Sequence, residues 1–403
     1  MSKLTAHRLK SVPLKLRAEE LREQLVAIRR SIHEHPEYGF QEHETARLIA
    51  ATLSQLGARV REGVAKTGVI GEVGTGNPII AIRADMDALP IAEATALSFA
   101  SRVPNMMHAC GHDAHVACAL GAAMLLAEEF PENPSSGTVR FLFQPSEEQR
   151  DEAGHSGAQL LIDEGGLEGV EAVIALHTKN LPVGSVGVTN GPALAANDTI
   201  KIIIQGRSAH GAHPEEGVDA IAISVQVISA IQQIVSRRIS AISPAVVSIT
   251  TIHGGVKENV IADRVELGGT IRTTGGAARQ HIIDELERAL SVGRILGATC
   301  ELQVFPGYDA TINDPKVTEV VRDAARKLLG PAHVIEMPFD PWSEDFGYMT
   351  ARVPGAMFWL GVTSERVPNP IWHSSTFDLD EDALPVGAMI LAESAKSLLA
   401  SSR

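Results

Sequence analysis

One stretch constrains this chain more than any other. Pro78-Ile-Ile-Ala-Ile-Arg-Ala84 is apolar nearly throughout and runs straight into Asp85-Met86-Asp87. Such a run reads as a strand buried on both faces, as in a parallel sheet covered by helices. The pattern recurs: Thr138–Phe143 leads to Glu147-Glu148, and Ala172–Leu176 leads to His177. Helical periodicity surrounds these runs, over about 17–35, about 42–56, 114–130 and a short 155–163. Strands alternating with helices predict an α/β layer architecture. Open α/β sheets bind ligands outside the carboxyl ends of their strands. Acidic or histidine groups at several such ends are therefore more than a scatter of polar loops.

The texture changes after Gly191-Pro192. Strand-like Thr199–Ile204, a helix over about 217–236, strand-like 246–252 and 265–273, a helix near 279–296 and strand-like 301–305 follow in turn. That order is the signature of a ferredoxin-like α+β sandwich, here read as an insertion into the first domain. The α/β pattern resumes at about Asp309, with helices near 315–329, 344–351 and 381–399. The expected organisation is a metal-binding catalytic domain over 1–191 and 307–403, with a mixed central sheet flanked by helices. A satellite domain covers 192–306. A length of 403 residues suits two or three domains of roughly 100–200 residues each.

Composition narrows the function. The formal net charge of −14 argues against a nucleic-acid binder and against adhesion to an anionic membrane. No uninterrupted apolar run approaches the ~18 residues of a membrane span. Met1–Glu20 lacks the apolar stretch of a secretory signal. Three cysteines are too few for a disulfide framework, so a reducing, cytoplasmic setting is expected.

The chemistry gathers in short motifs. In His108-Ala-Cys110-Gly-His112-Asp-Ala-His115 a thiol and an imidazole stand two residues apart. In extended backbone both point to one side, and together they suit zinc or a related transition ion. A buried structural cysteine beside helix-start histidines fits the same residues. Glu147 and Glu148 are adjacent, so their side chains are expected to diverge. One would bind metal and the other take a proton from an activated water; an exposed acidic turn is the alternative. His373 lies in a polar turn before the last helix. His210 and Asn259 sit in polar interruptions of the second domain. Arg272 is a cation on an otherwise apolar strand, suited to a substrate carboxylate or an internal salt bridge.

Five segments, in order, resemble the signatures of the M20 metallopeptidases: Arg83-Ala-Asp-Met-Asp-Ala-Leu-Pro90, Met107-His-Ala-Cys-Gly-His-Asp-Ala-His115, Gln144-Pro-Ser-Glu-Glu148, Asn259-Val-Ile-Ala-Asp263 and Ser343-Glu-Asp-Phe346. The branch they most resemble is the amidohydrolase group of hippurate hydrolases, N-acyl-amino-acid deacylases and auxin-conjugate hydrolases. The resemblance runs from about His33 to the last helix. It implies two divalent ions, zinc or manganese, with Cys110 bridging them and His112, Glu148, His177 and His373 completing the ligands. It implies Glu147 as general base and Asp87 as the residue orienting a ligand. His210 would polarise the scissile carbonyl, and Asn259 and Arg272 would hold the substrate carboxylate. A satellite that often dimerises belongs to the same pattern.

The sequence departs from that pattern at Gln149–His155 and at Thr178-Lys-Asn180, loops that line the substrate mouth in the family. The expected activity is hydrolysis of the amide of an N-acyl amino acid or small peptide conjugate, through a water bridging the two ions. Alternatives are a carboxypeptidase or dipeptidase of the same superfamily and a non-catalytic metal-binding relative.

Overall fold

The computed structural model describes residues 12–130 and 137–402; the first part of the N-terminal stretch examined for a secretory signal lies outside them. The chain forms two compact units. One comprises residues up to Gly191, Ile312–Pro338 and residues from Tyr348 onward; the other comprises Pro192–Thr311 and Phe339–Gly347.

The first unit is built on an eight-stranded mixed sheet. Its strands are β1 (Arg59–Val64), β2 (Gly68–Thr75), β3 (Ile79–Asp85), β4 (Gly137–Gln144), β5 (Val170–Pro182), β6 (Val186–Val188), β13 (Val334–Glu336) and β14 (Gly355–Thr363). Chain order passes through β7 (Gly191–Leu194), β8 (Ala196–Gln205), β9 (Ala245–Gly254), β10 (Arg264–Thr273), β11 (Thr299–Pro306) and β12 (Thr311–Asn313) in between. The spatial order of the large sheet is β1-β2-β4-β3-β5-β14-β6-β13. At its centre β4, β3, β5 and β14 run parallel. These strands are buried on both faces, as their continuous apolar runs require.

The helices of this unit are α1 (Leu14–Glu20), α2 (Arg22–Glu34), α3 (His43–Gln55), α4 (His112–Ala127) and α5 (Gly157–Asp163). The continuous helix expected over 17–35 is interrupted at Leu21. α4 is apolar all round and buried from His112 to Leu126, so it is a central helix. It packs against the last helix, and a Cβ on Gly121 would come 2.7 Å from Ala388 Cβ.

The second unit carries α6 (Ala220–Gln233) and α7 (Gly276–Ile295) on a four-stranded antiparallel sheet of order β11-β8-β10-β9. Ile223, Val227 and Ile231 of α6 and Ile282, Leu286 and Leu290 of α7 form its core with Ile200, Ile202, Ile204 and Leu267. Strand–helix–strand–strand–helix–strand is the expected ferredoxin-like order.

Downstream come α8 (Pro315–Leu329), α9 (Gly347–Thr350) and α10 (Ala383–Ser401). The helix expected over 344–351 is limited to the four residues of α9, and Pro354 prevents it from running on at the carboxyl end. The reading of the sequence passed over β14, β1 and the short β6 and β13. Two helical segments, Ala220–Arg238 and Ala383–Ser401, are long and apolar enough to cross a membrane, against the expectation of no such run. Both supply core residues: Ile223, Val227 and Ile231 in one, and Ala388, Ile390 and Leu391 in the other.

Candidate metal centre

The carboxyl ends of the parallel strands bring the chemistry together. β3 ends at Asp85, two residues before Asp87; Glu147 follows β4 closely. His177 differs from expectation: β5 continues past it to Pro182, so it projects from within a strand. Its position is set by sheet register, opposite Trp359 of β14. The two rings meet edge to face with centroids 6.0 Å apart.

Cys110 and His112 also reach the centre by a route other than extended backbone. Gly111 has φ 87° and caps α4, which His112 begins. The chain thus turns sharply between thiol and imidazole. A side chain at Gly111 would be strained by the left-handed conformation, and its Cβ would lie 2.9 Å from Thr178 Oγ1. Cys110, His112 and His177 offer ligand atoms that all lie within 4.8 Å of one another. So do Cys110, Glu148 and His373, and so do His112, Glu147 and Glu148. The last grouping corrects the expected divergence of the two glutamates: both carboxylates converge on His112. The positive φ of 47° at Ser146 kinks the chain just ahead of them. His373, with φ 58°, is held by its own N–H donating to the Ala109 carbonyl at 2.9 Å.

The two buried imidazoles are presented alike. His112 Nδ1 donates to the Asp87 carbonyl at 2.9 Å and lies 3.2 Å from the Asp87 carboxylate. His177 Nδ1 donates to the Thr178 carbonyl at 2.8 Å. A main-chain carbonyl can only accept, so each Nδ1 carries a proton and each Nε2 faces the centre. His177 Nε2 lies 3.6 Å from Cys110 Sγ. His112 Nε2 is buried with no hydrogen-bond partner, 4.0 Å from Glu147 Oε2. Glu148 Oε1 is also buried and meets His373 Nε2 at 2.9 Å. Buried polar atoms left unpaired call for a ligand. The donor set of thiol, imidazoles and carboxylates fits zinc or a similar divalent ion.

The electrostatics agree. Burial works against charge on His112, but Asp85, Cys110 and Asp87 outweigh it and hold its pKa well above the usual value. Hydrogen bonding to Cys110 and Glu148 raises His373 to about 10. Both shifts report a place that favours positive charge. Burial, then the Glu148 charge, pushes the Cys110 thiol up, so its deprotonation goes with cation binding. Burial keeps His177 well below its usual value, in the neutral form a ligand needs.

Reading the sequence missed the residues beneath the centre. His115, one turn along α4 from His112, accepts the Thr178 N–H on Nε2 at 3.1 Å and places Nδ1 2.6 Å from Asp85. Asp85 is buried, yet Arg83 at 2.6 Å, with His112 and His115, holds its carboxyl well below the usual range. The spacing of His112 and His115 by three on one helix face was the available signal. Three expected substrate residues lie in the second unit. His210 and Asn259 are exposed, and His210 bridges to Val260. Arg272 on β10 is half-buried and donates to Ser343 Oγ at 2.7 Å. Among the described residues no carboxylate pairs with it, and burial lowers its pKa.

Related proteins match this chain along nearly its whole length. A thermostable carboxypeptidase of Saccharolobus solfataricus is 40% identical over 386 residues, covering 93% of this chain and 95% of its own. An N-acetylcysteine deacetylase of Bacillus subtilis is 40% identical over 380 residues, covering 93% and 97%. The crystal structure of the Bacillus subtilis YXEP protein, described as a dinuclear metal-binding peptidase of the M20 family, superposes with a TM-score of 0.82 at 38% identity, covering 95% of this chain and 99% of that one.

Fold and donor set together define a metal-dependent hydrolase of amide bonds. More narrowly, the chain belongs to peptidase family M20/M25/M40, whose pattern matches residues 81–397.

Proposed function

We propose that this protein removes the acyl group from N-acyl amino acids or small peptide conjugates, using two divalent cations, zinc or manganese. The observation that carries the reading is the paired presentation of His112 and His177, each tethered through Nδ1 with Nε2 turned toward buried Cys110. Cys110, His112, Glu148, His177 and His373 would hold the ions. When bound, the cations would supply Lewis acidity to an attacking water and to the substrate carbonyl.

The rest falls to the chain itself. Glu147, buried and close to His112, accepts the proton released by water and returns it to the leaving amine. Asp87 keeps His112 oriented. His210 Nδ1 accepts the Ala212 N–H at 3.2 Å, so the neutral ring carries its proton on Nε2, the kind of donor an oxyanion needs. Arg272, half-buried without a carboxylate partner among the described residues, is suited to the substrate carboxylate, and Asn259 assists it.

In this reading 1–191 and 307–403 form the catalytic domain and 192–306 the satellite, through which copies of the chain would associate. The three cysteines are free and buried, which suits a cytoplasmic protein acting on small molecules.

The test is metal-dependent turnover. A chelator should abolish hydrolysis of N-acetyl and longer N-acyl amino acids, and Zn²⁺ or Mn²⁺ should restore it. Faster release from unblocked dipeptides than from acylated amino acids would replace this reading with a dipeptidase. A metal-loaded protein inert toward both sets would mark it as a binding relative.

A further inference from the structure

The turn carrying Glu147 is held by a carboxylate that the chemistry above does not use. Glu42 precedes α3 and is 0% exposed. Its Oε1 accepts the Ser146 N–H at 2.8 Å, and its Oε2 accepts the Thr67 hydroxyl. Ser146 is a non-glycine residue at φ 47°, a conformation that L-residues hold only when their surroundings enforce it. Glu147 comes next. On its other side, the Glu148 N–H donates to Asp87 Oδ2 at 3.0 Å. The residues flanking Glu147 thus each direct a main-chain N–H to a carboxylate, one from each side of the turn.

The rest of the turn is equally specified. The Ser146 carbonyl accepts the Gly157 N–H at 3.0 Å, and the Ser146 hydroxyl donates to the Gln149 carbonyl at 3.2 Å. A Cβ on Gly39 would collide with Ser146 Oγ. Burying an ionisable side chain to hold a single strained peptide is costly. The Ser146 N–H it satisfies lies one residue from the carboxylate that must meet the reacting water.

We propose that Glu42 is a positioning residue for Glu147, holding Ser146 in its left-handed conformation and thereby aiming the Glu147 carboxylate. This rests on Glu147 being the general base. Without Glu42 the Ser146 N–H loses its acceptor, and the backbone relaxes toward negative φ, turning the next side chain. A shift of about 1 Å in a reacting group costs roughly 100-fold in rate.

The experiment uses full-length, metal-loaded enzyme and measures kcat, KM and bound metal together. E42A should lower kcat by roughly 30- to 100-fold, with KM and metal content unchanged. E42Q, which keeps an oxygen for Ser146 and an amide the Thr67 hydroxyl can accept from, should stay within about fivefold of the parent rate. G39A presses on the same turn without touching Glu42 and carries the comparison if E42A does not fold. It should lower kcat similarly, and S146G in the same chain should restore it. The proposal is overturned by E42A or G39A at the parent kcat, by E42Q as impaired as E42A, or by a loss that follows lost metal. E147Q tests the underlying reading separately. If E147Q stays active, the base assignment fails. If E147Q is inactive while E42A keeps its kcat, only the role of Glu42 fails.

Discussion

Asp87 grips the Nδ1 edge of His112 twice, through its carbonyl at 2.9 Å and its carboxylate at 3.2 Å, and leaves buried Nε2 as the ring atom for a ligand. The same residue accepts the Glu148 N–H. One side chain therefore orients a histidine and a glutamate that arrive from different elements. Asp87→Ala is expected to weaken metal binding by roughly 10- to 100-fold, the usual cost of losing a partner that orients a ligand. Competition against a chelating dye measures it, and unchanged affinity would show that the ring needs no such support.

Glu147→Gln keeps the side chain's shape but removes the carboxylate proposed as the proton acceptor. Metal content and melting temperature should stay at parent values, while kcat falls by roughly 100- to 10,000-fold. Activity that survives with metal retained would assign the proton transfer to another group.

Gly111→Ala tests the sharp turn between Cys110 and His112. With φ at 87° and Thr178 Oγ1 2.9 Å from the new Cβ, stability should fall by at least ~1–2 kcal/mol. Metal affinity should fall with it, because thiol and imidazole separate. Chemical denaturation with and without Zn²⁺ reads both effects; a parent-like result would mean the turn has room to relax.

His33 predicts a pH dependence of stability. It is buried, with Nδ1 2.8 Å from Asp113 and Nε2 3.4 Å from Glu93. Burial pulls its pKa down, but the bonds to Asp113 and Glu93 outweigh burial and raise it from 6.5 to about 9. The folded protein thus holds a proton that the unfolded chain releases near 6.5. The stabilisation is complete below about 6.5, declines above it and is gone once pH passes about 9, a span worth at most about 3 kcal/mol. Melting temperatures between pH 6 and 9.5 should fall more steeply for the parent than for His33→Gln. Parallel curves would show that folding leaves the His33 pKa where it is in the unfolded chain.

Much of this protein is legible in its residues because neighbours in sequence decide it. The mostly apolar runs at 79–84, 138–143 and 172–176 are buried strands, since apolar residues on both faces of a strand cannot face water. The strand–helix order of the second unit was equally readable from local periodicity. Cys110, His112, Glu147, Glu148 and His177 stood out by residue type and place in the pattern, His373 only through the family resemblance, and the structure places their donor atoms in overlapping groups.

What the chain could not declare in one dimension was direction. The left-handed Gly111, rather than extended backbone, aims Cys110 and His112 together, and the kink at Ser146 makes Glu147 and Glu148 converge instead of diverge. His177 depends on its pairing with β14, a strand nearly two hundred residues away that the reading passed over. Glu42, His115 and Asp85 likewise act through partners distant in sequence. The sequence by itself determined most of the buried strands and helices and which residue types could ligate, because propensity and burial pattern are local. Only the tertiary structure decided where those atoms point, because backbone turns and buried hydrogen bonds between remote segments set each side chain's direction.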